Sequence, residues 1–448
     1  MTDTLERLTQ HLLDAARNAG ADQADALAVD GTSLSIDVLN GKLEHAERSE
    51  GIDIGLRVLV GQRQACVSAS DTSALTIETM AERAVAMAKE APDDPHIRLA
   101  EAPDLARSWD LDALELVDPA DEPDPAMLER DAAEAEAAAL AVKGVTQVST
   151  SSAGYGRHQF HLTTSNGFSG GYGRTNRAIS VVAITGEGAA MERDYAGEMR
   201  TFQADLPSAH EIGTKAGNRT VERAGARKPP TGAYPVLFDE RISSSLVGHL
   251  LAAVNGASIA RGSSWLRDAL GEQVLPDGID LIEDPHRPRI SGTRPFDGEG
   301  LATYRRKIID NGMLTGWTMD LATAHKLGLR STASASRGTS SPPSPSISNV
   351  TLTQGNMTRD DLIAQMGTGL LVTSMIGSTI NPTTGDYSRG ASGFWVENGQ
   401  IAYPVNECTI AGNLRDMLGR IIPANDAETH LSRMVPSLLI DGMTLAGD

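Results

Sequence analysis

Cysteine is nearly absent from this chain: Cys66 and Cys408 are its only two among 448 residues. Two cysteines allow at most one bridge and no Cys-x-x-Cys metal site, so a disulfide framework is excluded. Positive charge is also short. There are 39 Lys and Arg against 59 Asp and Glu, a formal net charge of −20 and a pI near 4.9. A nucleic-acid partner needs clustered Lys and Arg to neutralise phosphates, so direct binding to DNA or RNA is not expected. The one basic cluster, Arg223 to Lys228, falls where a linker is expected. No apolar run is long enough for a transmembrane helix, and Thr-Asp-Thr-Leu-Glu after Met1 has neither the basic nor the apolar part of a signal peptide. With so little cysteine, a reduced cytoplasmic compartment fits best.

Hydrophobic residues make up 40% of the chain and charged residues 22%, enough for a sizeable core, and the length suggests two to three domains. Apolar periodicity predicts an amphipathic helix over 4–19, strands over 25–30, 33–39, 42–48 and 52–60, and a hairpin turn at Gly61-Gln62 leading to Ala65-Cys66-Val67. Ser73 is a plausible N-cap for a helix over 74–90. Residues 91–126 are acidic and rich in proline, and read as extended, exposed chain. A helix over 126–142 is followed by strands at 145–153, 157–164, 168–174 and 177–185 and a helix over 205–224. Arg227-Lys228-Pro229-Pro230 breaks that helix and marks a boundary between domains 1–228 and 229–448. Beyond it lie a buried strand at 234–238, an apolar helix over 241–255, a low-complexity and mobile stretch at 337–346, and a short helix over 358–366 capped by Thr358. The class is α+β: an N-terminal α/β domain with antiparallel strands, then a β-rich C-terminal domain.

Glycine is plentiful where cysteine is not. Residues 380–399 hold Gly385, Gly390, Gly393 and Gly399, with Gly377 just upstream. Such density marks backbone that takes positive φ or passes close to another group. Gly385-Asp386-Tyr387-Ser388-Arg389-Gly390 reads as a constrained turn, Phe394-Trp395-Val396 as strand, and Glu397-Asn398-Gly399-Gln400 as a hairpin turn.

Several motifs could carry chemistry. A zinc hydrolase shows two histidines on one helix face with a glutamate between them. Here Asp239-Glu240 opens a helix with no histidine four or five residues on, and His249 stands alone. His158 and His161, three apart in a strand, face opposite sides. Ser243-Ser244-Ser245 and Gly390-Ala391-Ser392-Gly393 lack the nucleophile-elbow frame. Gly186-Glu187-Gly188 lacks the setting of a phosphate loop. Asp386 and Arg389 could bind a peptide terminus, or Asp386 could cap its own turn. Pro295-Phe296-Asp297-Gly298-Glu299-Gly300, a second glycine-framed acidic turn, could hold a hard cation, though it offers only one Asp and one Glu.

Several of these segments, taken in order, carry a resemblance to a family. Gly55-Leu56-Arg57-Val58, Met191-Glu192-Arg193-Asp194-Tyr195, the 295–300 turn, Ala324-His325-Lys326-Leu327-Gly328-Leu329, Met366-Gly367-Thr368-Gly369-Leu370, 385–391, 394–399 and Thr409-Ile410-Ala411-Gly412-Asn413-Leu414 resemble the TldD/PmbA family, in its PmbA (TldE) branch. The resemblance implies a TldD/PmbA-type fold and a cytoplasmic two-part peptidase that acts on unfolded peptides or peptide precursors. Its TldD-type subunit holds zinc with a His-Glu-x-x-x-His helix and a cysteine, and its PmbA-type subunit lacks the metal site. The first histidine slot falls here at Asp239, the glutamate at Glu240, the second histidine slot at Ser244 and the cysteine slot at Ala391, so only the glutamate survives. Cys408 lies 17 residues beyond Ala391, on another strand. This implies no metal in this chain, zinc in a TldD-type partner, and Asp386, Tyr387 and Arg389 as peptide-lining residues. A homodimer in isolation stays open. So do a stand-alone hydrolase using Glu240, Asp297 or Glu299, and a regulatory protein-binding role, in line with the family's older name as a modulator of DNA gyrase.

Overall fold

A computed structural model describes residues 2–447. Helix α1 (Thr2–Ala19) leads into strands β1 (Gln23–Leu39), β2 (Lys42–Val60) and β3 (Arg63–Ala69), then helices α2 (Ala74–Glu90), α3 (Leu111–Leu114) and α4 (Pro125–Ala141). Strands β4 (Val145–Thr164), β5 (Ser169–Thr185) and β6 (Glu192–Arg200) and helix α5 (Ala209–Val221) complete this half. The strands form one antiparallel sheet in the order β3-β2-β1-β4-β5-β6, which leaves β6 at an edge.

The sheet works as a layer with two different faces. Even-numbered β1 residues, from Ala24 to Val38, face the helices: α1 and α2 pack at one end, α4 and α5 at the other. Odd-numbered Leu27 and Val29 face away and meet Phe296 of the second half. Helix starts follow their caps. Ser73 accepts a hydrogen bond from the Thr76 amide, and Ser208 with Glu211 forms a capping box at α5.

Four pairs of strands expected as separate elements are single long strands. Gly31 is the reason at β1. It sits opposite Gly51 of β2 and His158 of β4, and a Cβ there would lie 2.9 Å from the His158 ring. The glycine makes room for a neighbour and does not end the strand. Two segments expected to be exposed or mobile are packed in part. Within 91–126, Leu99, Ala100, Ala106, Leu114 and Leu116 are buried. The 337–346 stretch is seated on the sheet at its start: the Arg337 side chain is 2% exposed and ion-paired to Asp25, which also accepts from Arg57 Nε at 2.7 Å. Gly55 permits this seat, since a Cβ there would come within 2.1 Å of the Thr339 carbonyl oxygen.

The second half opens with β7 (Gly232–Phe238) and helix α6 (Glu240–Ala253). Strands Gln400–Asn413, Asp386–Glu397, Gly369–Ile380, β7 and Leu438–Ala446 pair in that order, and the first also pairs with the last, so the ladder closes into a ring. A five-stranded sheet ends at the short edge strand Arg433–Met434. Helix α6 buries Leu246, Val247 and Leu250 in the apolar core shared by these sheets. The Asn398-Gly399 hairpin has positive φ at both residues, 54° and 73°, the geometry of a type I′ turn. One expected turn shifts. Asn381 to Gly385 makes it, with φ +80° at Gly385, while Asp386 to Arg389 already belong to a strand. Both cysteines are free, and among the described residues no helix is long and apolar enough to cross a membrane.

Candidate functional site

The start of α6 is the centre of the site. Asp239 caps the helix, accepting from the Arg241 amide at 3.4 Å. The capping carboxylate is held from two sides. Arg359 Nη1 donates to its Oδ2 at 3.0 Å, and Arg241 Nε lies 3.7 Å from Oδ1. Arg241 then reaches across to β6, where Nη1 and Nη2 donate to the two Asp194 oxygens at 3.1 Å each. Arg223 lies 3.5 Å from the same carboxylate and donates to Ser392 Oγ at 2.8 Å, with Glu192 at 3.6 Å. Forked guanidinium–carboxylate pairs of this kind are strong and directional. The network ties β6, the end of α5, the start of α6 and the strand Asp386–Glu397 together.

Glu240 is different. Among the described residues, no hydrogen bond or ion pair holds its carboxyl group. It faces a cavity of about 470 Å³, with Arg219, Arg359, Phe394, Ile401 and Tyr403 among the lining. Burial, with Asp239 adjacent, pushes its pKa up to about 7. Ser244, one turn along, lines a separate cleft of about 610 Å³ between β5, β6 and the segment 430–433. Ala391 is buried in the core and brings no donor atom. Cys408 is its direct cross-strand neighbour despite the 17 residues between them, and its Sγ donates to the Ala391 carbonyl at 3.1 Å. Burial raises that thiol to about 11, so it is neutral and already bonded.

Zinc needs three protein ligands with free lone pairs. Asp239 is saturated by two arginines, Ser244 offers a neutral hydroxyl to another cavity, and Ala391 offers nothing, so these residues do not fit the ion. Among the described residues no three His, Cys, Asp or Glu side chains gather as a metal site.

The other singled-out residues lie elsewhere. Tyr387 is a core residue, 2% exposed, with its hydroxyl on Met375 Sδ at 3.2 Å and its ring edge-on to His249; it cannot line a peptide path. Asp386 points to the opposite side of the strand, where it accepts from Thr384 Oγ1 at 2.6 Å and Asn413 Nδ2 at 3.2 Å. Neither these two nor Arg389 lines the 470 or the 610 Å³ cavity. Asp297 spends both oxygens on backbone amides, those of Glu299, Leu301 and Ala335, at 2.9 to 3.0 Å. Glu299 accepts from the Leu321 amide at 2.8 Å, and burial raises both carboxyl groups. These bonds make the pair a brace for the loop and leave Glu240 as the accessible acid of the three. The basic cluster read as linker is structural too: Arg223 belongs to the ion network and Arg227 stacks 3.6 Å over Tyr403. Asp194, Arg241 and Arg359 were not singled out from sequence. Their one signal was that Asp194 sits inside the 191–195 motif.

Three family descriptions match the chain in order. They are PmbA/TldA metallopeptidase domain 1 over residues 24–88, the central domain over 106–224 and the C-terminal domain over 231–447. The chain is 37% identical over 432 residues to the metalloprotease PmbA of Escherichia coli O157:H7, covering 95% of this chain and 93% of that one. A crystal structure from Bacteroides thetaiotaomicron, described as a modulator of DNA gyrase, is similar with a TM-score of 0.91 at 28% identity, covering 99% of this chain and 98% of that one. TldE from Thermococcus kodakarensis shares the fold, with a TM-score of 0.84 at 18% identity over 98% of this chain and 100% of that one.

Proposed function

The chain belongs to the PmbA/TldD metallopeptidase family, and from that premise we propose that it is the metal-free subunit of a two-part cytoplasmic peptidase. It pairs with a TldD-type subunit that carries the zinc, and it shapes the path by which unfolded peptides or peptide precursors reach that metal. Residues 1–228 and 229–448 act as the two units that frame this path. The observation that carries the reading is the ion network at the start of α6. A guanidinium, Arg241, lies against the carboxylate at the first ligand position, and the other two positions are Ser244 and Ala391.

The test is cleavage of an unstructured peptide by this chain, by a TldD-type partner, and by the two mixed, with and without a chelator. Cleavage should require the partner's zinc and rise when this chain is added. Chelator-sensitive cleavage by this chain alone contradicts the reading.

One observation favours a second reading, a metal-free hydrolase. Glu240 is a carboxyl group in a cavity, unpaired among the described residues and poised near neutrality, which suits a general acid or base. Chelator-resistant cleavage by the lone chain, abolished in Glu240→Gln, separates this reading from the first.

A further inference from the structure

The 610 Å³ cleft carries the opposite charge to the rest of the chain. Against a net charge of −20 overall, Arg174, Arg200, Arg289, Arg433 and His430 face it, with Glu198 as the one carboxylate among the described residues. Pairing decides how much of that charge is left over. Arg200 donates to Glu198 at 2.9 Å, and Arg289 is shared between Glu115 and Asp205 at 2.8 and 2.9 Å. Burial and nearby Arg200 hold His430 below its usual range, so it is neutral near pH 7. Among the described residues, Arg174 donates to the carbonyl oxygens of Ser291 and Thr293 and lies over the Tyr172 ring, contacts that fix the guanidinium without cancelling its charge. Arg433 is exposed and, among the described residues, its guanidinium has no hydrogen bond or ion pair. Arg174 and Arg433 therefore leave uncompensated positive charge in a concave site, where its field is focused.

The walls suit a peptide backbone. One is Gly197 to Thr201, which begins in β6 at the edge of its sheet. The other is His430 to Arg433, which ends in the edge strand of the five-stranded sheet. Edge strands present unpaired N–H and C=O groups that an extended chain can take up. Helix α6 lines the cleft through Ser244, and Gly248 follows four residues on, on the same face of the helix. Because residue 248 has no side chain, the Arg433 head lies against the helix backbone; a Cβ there would be 3.0 Å from Arg433 Nη1.

We propose that this cleft holds a carboxylate-bearing segment of an extended peptide, with the carboxylate on Arg433 and Arg174 close by to reinforce it. The carboxylate belongs to an Asp or Glu side chain or to the peptide C-terminus. The proposal rests on the reading of this chain as a peptide-handling subunit, and it names the class of peptide.

The experiment is fluorescence anisotropy of the full chain with three matched, labelled, unstructured peptides. The first is acidic with an amidated C-terminus, the second has the acids replaced by amides and is also amidated, and the third is that neutral sequence with a free C-terminus. The acidic or the free-carboxylate peptide should bind about tenfold tighter than the neutral amidated one. Which of the two does so identifies the source of the carboxylate. Arg433→Gln should erase the preference, Arg433→Lys should keep part of it, and Arg305→Gln, an exposed arginine outside the cleft, should leave it unchanged. Equal binding of all three overturns the proposal while leaving the peptide-handling role standing. Binding of none overturns both. Displacement of the acidic peptide by inorganic phosphate at matched ionic strength also overturns the proposal, because it marks a general anion site.

Discussion

Arg241 sets the character of the α6 start. Its fork holds both oxygens of Asp194, which is buried, and its Nε leans on Asp239. Replacing it with Met leaves a buried carboxylate short of its main partner. Breaking a pair in that way costs on the order of 3 kcal/mol, and urea denaturation of Arg241→Met should show a loss of about that size. Glu240 gives a prediction with a sign. Its carboxyl group titrates at about 7 in the folded chain against 4.5 when exposed. The folded state therefore binds the extra proton between those values, and stability falls as pH rises through that window. Glu240→Gln removes the dependence, so its melting temperature should gain on that of the parent as pH goes from 5 to 8, as differential scanning calorimetry can read. At this scale the resemblance to an ordered motif is what points to Asp239, Ser244 and Ala391 as the proposed ligand slots. The sequence hides what surrounds them, because the Arg241–Asp194 and Arg359–Asp239 pairs join residues 47 and 120 positions apart. Cys408 shows the same limit: 17 residues from Ala391 along the chain, it is adjacent across the ladder.

Among elements, helices are legible and long strands are not. Ser73, Ser208 and Thr358 accept the amides that open their helices, a local signal within four residues. Glycine in a strand is ambiguous. At Gly31 it clears space for the His158 ring, and at Gly55 for the Thr339 carbonyl, and neither neighbour can be identified from local sequence. The same contact explains why the start of the 337–346 stretch is anchored despite its composition, while Ser340 to Pro342 stay exposed: Arg337 pairs with Asp25 on the sheet beneath it. Gly55→Ala should push this stretch off β2. The cost expected for an overpacked backbone contact is about 1–3 kcal/mol, and amide hydrogen exchange should quicken over 337–341. Exchange unchanged there would show that the loop is held by something other than its seat on β2.

The whole molecule is a sandwich of three parts: helices, a six-stranded sheet, and a β-rich half whose apolar loop at Phe296 meets the other face of that sheet. Asp194, on the sheet's edge strand, and Arg241, on the first helix of the second half, join the halves, and the cleft and the cavity open near that join. The α+β class and the β-rich second half follow from periodicity alone. The cationic cleft does not, because its arginines come from β5, β6, the 289 loop and the 433 edge, and they gather only in the folded chain. On the proposed reading, the position that would hold the metal is filled in this chain by arginine–carboxylate pairs. The most direct measurement of that claim is zinc content by mass spectrometry of the purified chain after zinc loading and desalting, beside the same chain bound to a TldD-type partner. The account predicts no stoichiometric zinc in the chain alone and zinc in the complex that stays with the partner when the two are separated. One zinc retained per molecule of the chain alone would contradict it.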